Sequence, residues 1–138
     1  MPRFLSLLLL SLTLLTAACK KEESKPKPSI EGRWTLKELV DYEYDAEGKL
    51  LTQKSDSSPA ALYFYTVISK DSILFYDVKD NSPLGGDKLM YLSSDTFTYS
   101  SVTVVVKELT DHKLVLRYPS RNRTAGRPYH EFEDVYSR

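Results

Sequence analysis

Cysteine is almost absent from this chain of 138 residues: there is one, Cys19. An internal disulfide is therefore excluded, even in an oxidising compartment. Histidine is nearly as scarce, with His112 in a predicted turn and His130 flanked in sequence only by carboxylates. Zinc asks for about four His, Cys or carboxylate ligands, so no metal site is expected. Net charge is lacking too, since 19 basic residues balance 19 acidic ones. No global field favours nucleic acid. There is no repeat of solenoid length, no amphipathic helical stretch, and no Ser/His/Asp set at a recognisable catalytic spacing. No apolar run reaches the ~20 residues that cross a bilayer as a helix.

What is present begins with a targeting pattern. Arg3 is a positive n-region, and Phe4 to Leu15 is an apolar core too short to span. Ala17 and Ala18 are small and lead directly to Cys19. This arrangement resembles a bacterial lipoprotein signal, with Thr16 where Leu is usual. The resemblance implies a signal peptide over 1–18 and a Cys19 carrying fatty acyl chains such as palmitate. Two or more chains make a stable anchor, where one gives only marginal binding. Lys20-Lys21-Glu22-Glu23 reads as solvated tether, and it also resembles a surface-export signature of some Gram-negative lipoproteins. Pro26 and Pro28 stiffen the rest of a tether over 19–29. The expected location is the cell envelope, as an outer-membrane lipoprotein.

The remaining stretch, 30–138, has the size of one domain and can bury a core without staples. Ten tyrosines raise the aromatic content, and Tyr suits half-buried sheets and binding surfaces. Strand periodicity dominates. Trp34, Leu36, Glu38, Val40, Tyr42 and Tyr44 share one parity. A turn at 45–48 leads into a return over 49–54, and aromatic and β-branched runs follow at 61–68, 73–79, 88–92, 96–100, 102–109, 114–118 and 129–136. Turn residues separate them, and 80–87, with Pro83, Gly85 and Gly86, reads as a loop. Short strands at even spacing predict an all-β fold: a small antiparallel up-and-down barrel of about eight strands, closed to avoid open edges. Such a barrel is filled by side chains or holds one small ligand.

Gly32-Arg33-Trp34 opens the first strand as the Gly-x-Trp of lipocalins does. The segment from Val106 to Leu116 resembles the late hairpin of bacterial lipocalin-like lipoproteins. This resemblance covers most of Ile30 to Arg138. It implies a lipocalin-like barrel with an Arg from the last strand covering Trp34, for which Arg138 is the candidate. The chain is shorter than a typical lipocalin and no helical pattern follows the barrel, which argues against a deep, enclosed cavity.

The resemblance and the parity together predict a lumen wall of Trp34, Leu36, Tyr42, Phe97, Tyr99, Tyr118 and Phe132, facing a small apolar or amphipathic ligand. Glu38, His130 and Asp134 point inward if both strands keep register. The competing reading is a bulge near Glu38-Leu39 that turns Leu39 in and Glu38 out. Arg117, Arg121, Arg123 and Arg127 cluster around one loop, and either meet an anionic ligand or pair with Glu131, Glu133 and Asp134. No cofactor, catalytic residue or nucleic-acid partner is expected. The alternatives are a packed barrel that serves as a protein-interaction module, and an enzyme that uses Glu38 or His130.

Overall fold

The computed structural model describes residues 27–138. The leader, Cys19 and most of the tether lie outside the described residues. The strands are β1 (Gly32–Tyr44), β2 (Leu50–Asp56), β3 (Phe64–Ile68), β4 (Ser72–Asp77), β5 (Pro83–Lys88), β6 (Met90–Tyr91), β7 (Thr96–Tyr99), β8 (Val102–Leu109), β9 (Lys113–Pro119) and β10 (Tyr129–Ser137). The described residues contain no helix. All pairings are antiparallel, in the order β5-β4-β3-β1-β10-β9-β8-β7-β6, with β2 on β1. The all-β antiparallel barrel expected from the periodicity is thus the fold, with ten strands where about eight were expected.

β1 organises the barrel. One of its edges pairs with β10 from Thr35 to Tyr44. The other edge is shared: Gly32–Thr35 pairs with β3, and Leu39–Tyr44 with β2. β2 therefore stands up beside the top half of β1, exposed along its whole length.

One extra strand, β5, comes from the stretch read as a loop. Residues 83–88 pair with β4 despite Pro83 and two glycines. Proline is tolerated at the first residue of a strand. Gly86 is required by close approach: a Cβ there would sit 2.6 Å from the Ile73 carbonyl oxygen and 2.4 Å from Leu74 Cδ2. The chain then passes inward through buried Leu89 and continues as β6, which pairs with β7. One covalent stretch thus touches β4 with its first half and β7 with its second, and this nearly closes the barrel. Side-chain hydrogen bonds reinforce the seam. Asp87 Oδ2 accepts the Ser100 backbone N–H and hydroxyl, each at 2.7 Å. Ser100 and Ser101 form the two-residue β7–β8 turn with φ of 47° and 64°, the primed geometry that matches strand twist.

Directly paired residues point to the same face, so the registers define the interior. Trp34, Leu36, Ile68, Ile73, Phe97, Val104, Leu114, Leu116 and Tyr136 are all at most 2 % exposed and fill one end. The same end is capped by Arg138. Its guanidinium carbon lies 4.1 Å from the centroid of the Trp34 ring. The guanidinium also donates to the carbonyls of Asp111, Glu31 and Ser29. The Trp34 indole N–H donates to the Ile30 carbonyl at 2.7 Å, so no buried donor of the ring is left unmade.

Candidate functional site

The register of β1 against β10 shifts between Leu36 and Glu38. Lys37 is the extra, exposed residue of a bulge. Past it, inward and outward positions exchange. Leu39 faces Asp134, and Asp41 faces Phe132, on the inner side. Glu38, Val40 and Tyr42 turn outward, opposite Val135, Glu133 and Glu131. This agrees with the bulge reading of the sequence, in which Leu39 turns in and Glu38 out, and it corrects one expectation: Tyr42 is not part of the lumen wall. Strict alternation was broken by one residue, and parity from sequence cannot register that.

On the outer face Tyr42 lies under Arg117, whose guanidinium carbon is 4.2 Å from the ring centroid. Arg117 bonds Glu131 at 2.9 Å, stands 3.7 Å from Glu133, and donates to the Tyr44 hydroxyl. Arg123 lies over Tyr129, which stacks on Tyr44. The arginines Arg117 and Arg123 are thus engaged with acids and tyrosines of the same sheet. Arg121 and Arg127 are exposed in the β9–β10 loop.

Of the predicted wall, Trp34, Leu36 and Phe97 are core with no accessible side chain, so they are corrected from wall to packing. Tyr99 is partly buried against that core and tilts on Phe97, with ring centroids 6.4 Å apart. Tyr118 and Phe132 are brought together, with centroids 5.9 Å apart. They line a cavity of about 660 Å³ in the other half of the barrel, with Leu39, Asp41, Lys54 and Asp56, and with Val40 and Ser55 also in the lining. It opens beside β2, where β1 has no β3 neighbour. Leu39 enters as the bulge reading of the sequence has it, while Lys54 and Asp56 were missed in the sequence. Leu39 carried the signal, as the apolar residue off parity, while nothing local marks β2 as a wall.

Beneath this cavity sits a buried carboxyl group, that of Asp134. Asp134 is 5 % exposed. Its Oδ1 accepts the Tyr118 hydroxyl at 3.0 Å, and its Oδ2 the Tyr136 hydroxyl at 2.9 Å. No salt bridge reaches it among the described residues. Burial disfavours the charged form, and the two phenols only partly offset this. The carboxyl is pushed up to about 6. Burial and the nearby Asp134 charge push Tyr99 up to about 12, with Arg121 acting in the opposite direction. Tyr118 and Tyr136 are raised for the same two reasons. All three phenols therefore stay protonated, and Tyr118 and Tyr136 serve as donors to Asp134.

His130 is at the mouth, its Nδ1 2.7 Å from Asp41 Oδ1 and its ring stacked on Phe132. It is separated from Asp134 by Phe132 along the inner row of β10. His112 occupies the β8–β9 turn. Among the described residues no group of three or more His, Cys, Asp or Glu is placed to hold a metal ion. The chemistry on offer is an apolar-walled cavity with a buried acceptor network behind one wall. No protein-family model, curated protein or solved structure matches this chain.

Proposed function

We propose that this chain is an envelope lipoprotein, anchored by acyl chains on Cys19, whose lipocalin-like barrel binds a small apolar or amphipathic molecule. The anchor rests on the leader pattern and places the protein at the outer membrane, as a binding protein and not an enzyme. Binding rests on one observation above all: the cavity walled by Leu39, Tyr118 and Phe132. Its volume and its apolar lining with a few convergent polar groups are those of small-molecule sites. The Arg138–Trp34 stack at the filled end supports the lipocalin-like reading.

Two measurements test this. Titration of the full chain with a neutral, environment-sensitive apolar probe gives saturable binding, and Leu39→Phe, which narrows the cavity, weakens it without lowering the melting temperature. Labelled palmitate is incorporated in a bacterial host, and Cys19→Ser abolishes both the label and recovery with membranes. Absence of label in the native chain refutes the anchor.

A second reading is favoured by a specific patch. Leu84, Met90, Tyr91 and Leu92 are exposed along β5 and β6, with Met90 65 % and Leu92 63 % accessible. An apolar patch on this seam fits a packed barrel that contacts another envelope protein. If no apolar probe binds, this reading takes precedence.

A further inference from the structure

A buried carboxylate normally has a cation beside it or becomes neutral. Asp134 has two phenols and no cation. A carboxylate offers about four acceptor sites, and the phenols use two. The consequence falls on Tyr118, the residue shared by the cavity and the network. A phenol has one proton. While Asp134 is ionised, that proton is committed to Oδ1, and the oxygen of Tyr118 has only lone pairs left to offer. The charged groups around the cavity do not reverse this polarity. Asp41 and Asp56 line it opposite Lys54, and His130 is held on Asp41. Toward Asp134 itself, β7 presents Tyr99, β9 presents Tyr118 and β10 presents Tyr136, while Arg121 acts on Tyr99 from the β9–β10 loop. All three strands thus present neutral phenols.

We propose that the cavity takes single-chain amphiphiles whose head donates hydrogen bonds and bears no negative charge, such as a long-chain alcohol or amine, and that Asp134 sets this choice through the Tyr118 hydroxyl. The inference rests on the binding reading above and specifies its ligand. A fatty-acid anion brings acceptors to the Tyr118 oxygen and a negative charge to a lining in which the two carboxylates of Asp41 and Asp56 outnumber the one ammonium of Lys54, so its head finds no donor at Tyr118. An alcohol or ammonium head completes the chain of hydrogen bonds from ligand to Tyr118 to Asp134.

The test is competition. The full chain is loaded with the neutral apolar probe at a pH well above that at which Asp134 ionises. Alcohol, amine and fatty acid of equal chain length are then compared. The expected result is that alcohol and amine displace the probe at concentrations roughly tenfold or more below the fatty acid. Tyr118→Phe and Asp134→Asn each bring the three competitors close together while the probe still binds. Tyr118→Phe keeps the buried carboxylate and its Tyr136 bond, so it remains informative if Asp134→Asn fails to fold. A fatty acid that competes as well as the alcohol in the native chain overturns the inference. So does discrimination that persists unchanged in Tyr118→Phe. A native chain that binds no probe overturns the binding reading itself, and this inference with it.

Discussion

Two side chains show how much a single residue carries here. Arg138 covers the Trp34 ring and donates to three carbonyls from two separate loops. A guanidinium over an indole at an exposed site contributes about 1 kcal/mol. Arg138→Ala is expected to lower the melting temperature by about 5 °C and to shift Trp34 emission, both read in one thermal scan. Asp134 acts with the opposite sign. Its carboxyl is raised in the folded chain to about 6, above the ~3.9 of an unfolded aspartate. Between those values the folded state holds the proton and the unfolded state has lost it. The contribution of Asp134 to stability therefore falls as pH rises from about 4 to about 6, and its ionisation opposes folding above that window. The cost is on the order of 3 kcal/mol. Asp134→Asn should gain in melting temperature relative to the native chain across this window and level off above it. A difference that does not depend on pH means the carboxyl is not raised. Asp134 was legible in the sequence as an inward position by its parity with Phe132 and Tyr136. Its lack of a cation was not, because that depends on what β7, β9 and the β9–β10 loop bring to it.

At the scale of the element, the bulge at Lys37 decides which side of β1 meets the lumen. Before it Trp34 and Leu36 face inward; after it Leu39 and Asp41 do. A strand with period two cannot otherwise place both Leu36 and Leu39 on the core. Substitution separates the two faces. Glu38→Lys should change stability by less than about 0.5 kcal/mol, as surface changes do. Leu39→Lys should cost about 2–3 kcal/mol from lost burial and a charge brought to the core. Denaturant titration of both variants checks the assignment, and equal midpoints would restore Glu38 to the inner face. The same pattern recurs on β8, where the register shifts between Val106 and Glu108. Val106 and Leu109, three apart, then both pack on the core.

The described residues form a barrel that a single stretch of chain nearly closes. β5 belongs to the β3–β4 side and β6 to the β7–β8 side, with Leu89 buried at the joint. The Leu89 N–H donates to the Asp71 carbonyl at 2.9 Å, which fixes the bend. Asp87 ties the seam to the Ser100–Ser101 turn, and its carboxyl is held below the usual range first by the bond from Ser100. Asp87→Ala is expected to speed hydrogen exchange at the Ser100 amide several-fold while Leu116 and Tyr136 stay protected. Uniform exchange across all of them would mean the seam opens only with the whole fold. The cavity and the exposed apolar patch lie on different parts of this frame: one beside β2, the other along β5 and β6.

The sequence alone determined the fold class, because period-two hydrophobicity and short turns leave few alternatives to an antiparallel barrel. The leader pattern around Cys19 is likewise local, and its reading needs no tertiary contact. The strand at Pro83–Lys88 was hidden, since its residues read as a loop and only pairing with β4 makes it a strand. Tertiary structure alone decided which predicted lumen residues became core, which turned outward past Lys37, and which came to line the cavity. These outcomes depend on register and on closure, and both are set by contacts between residues far apart in the chain.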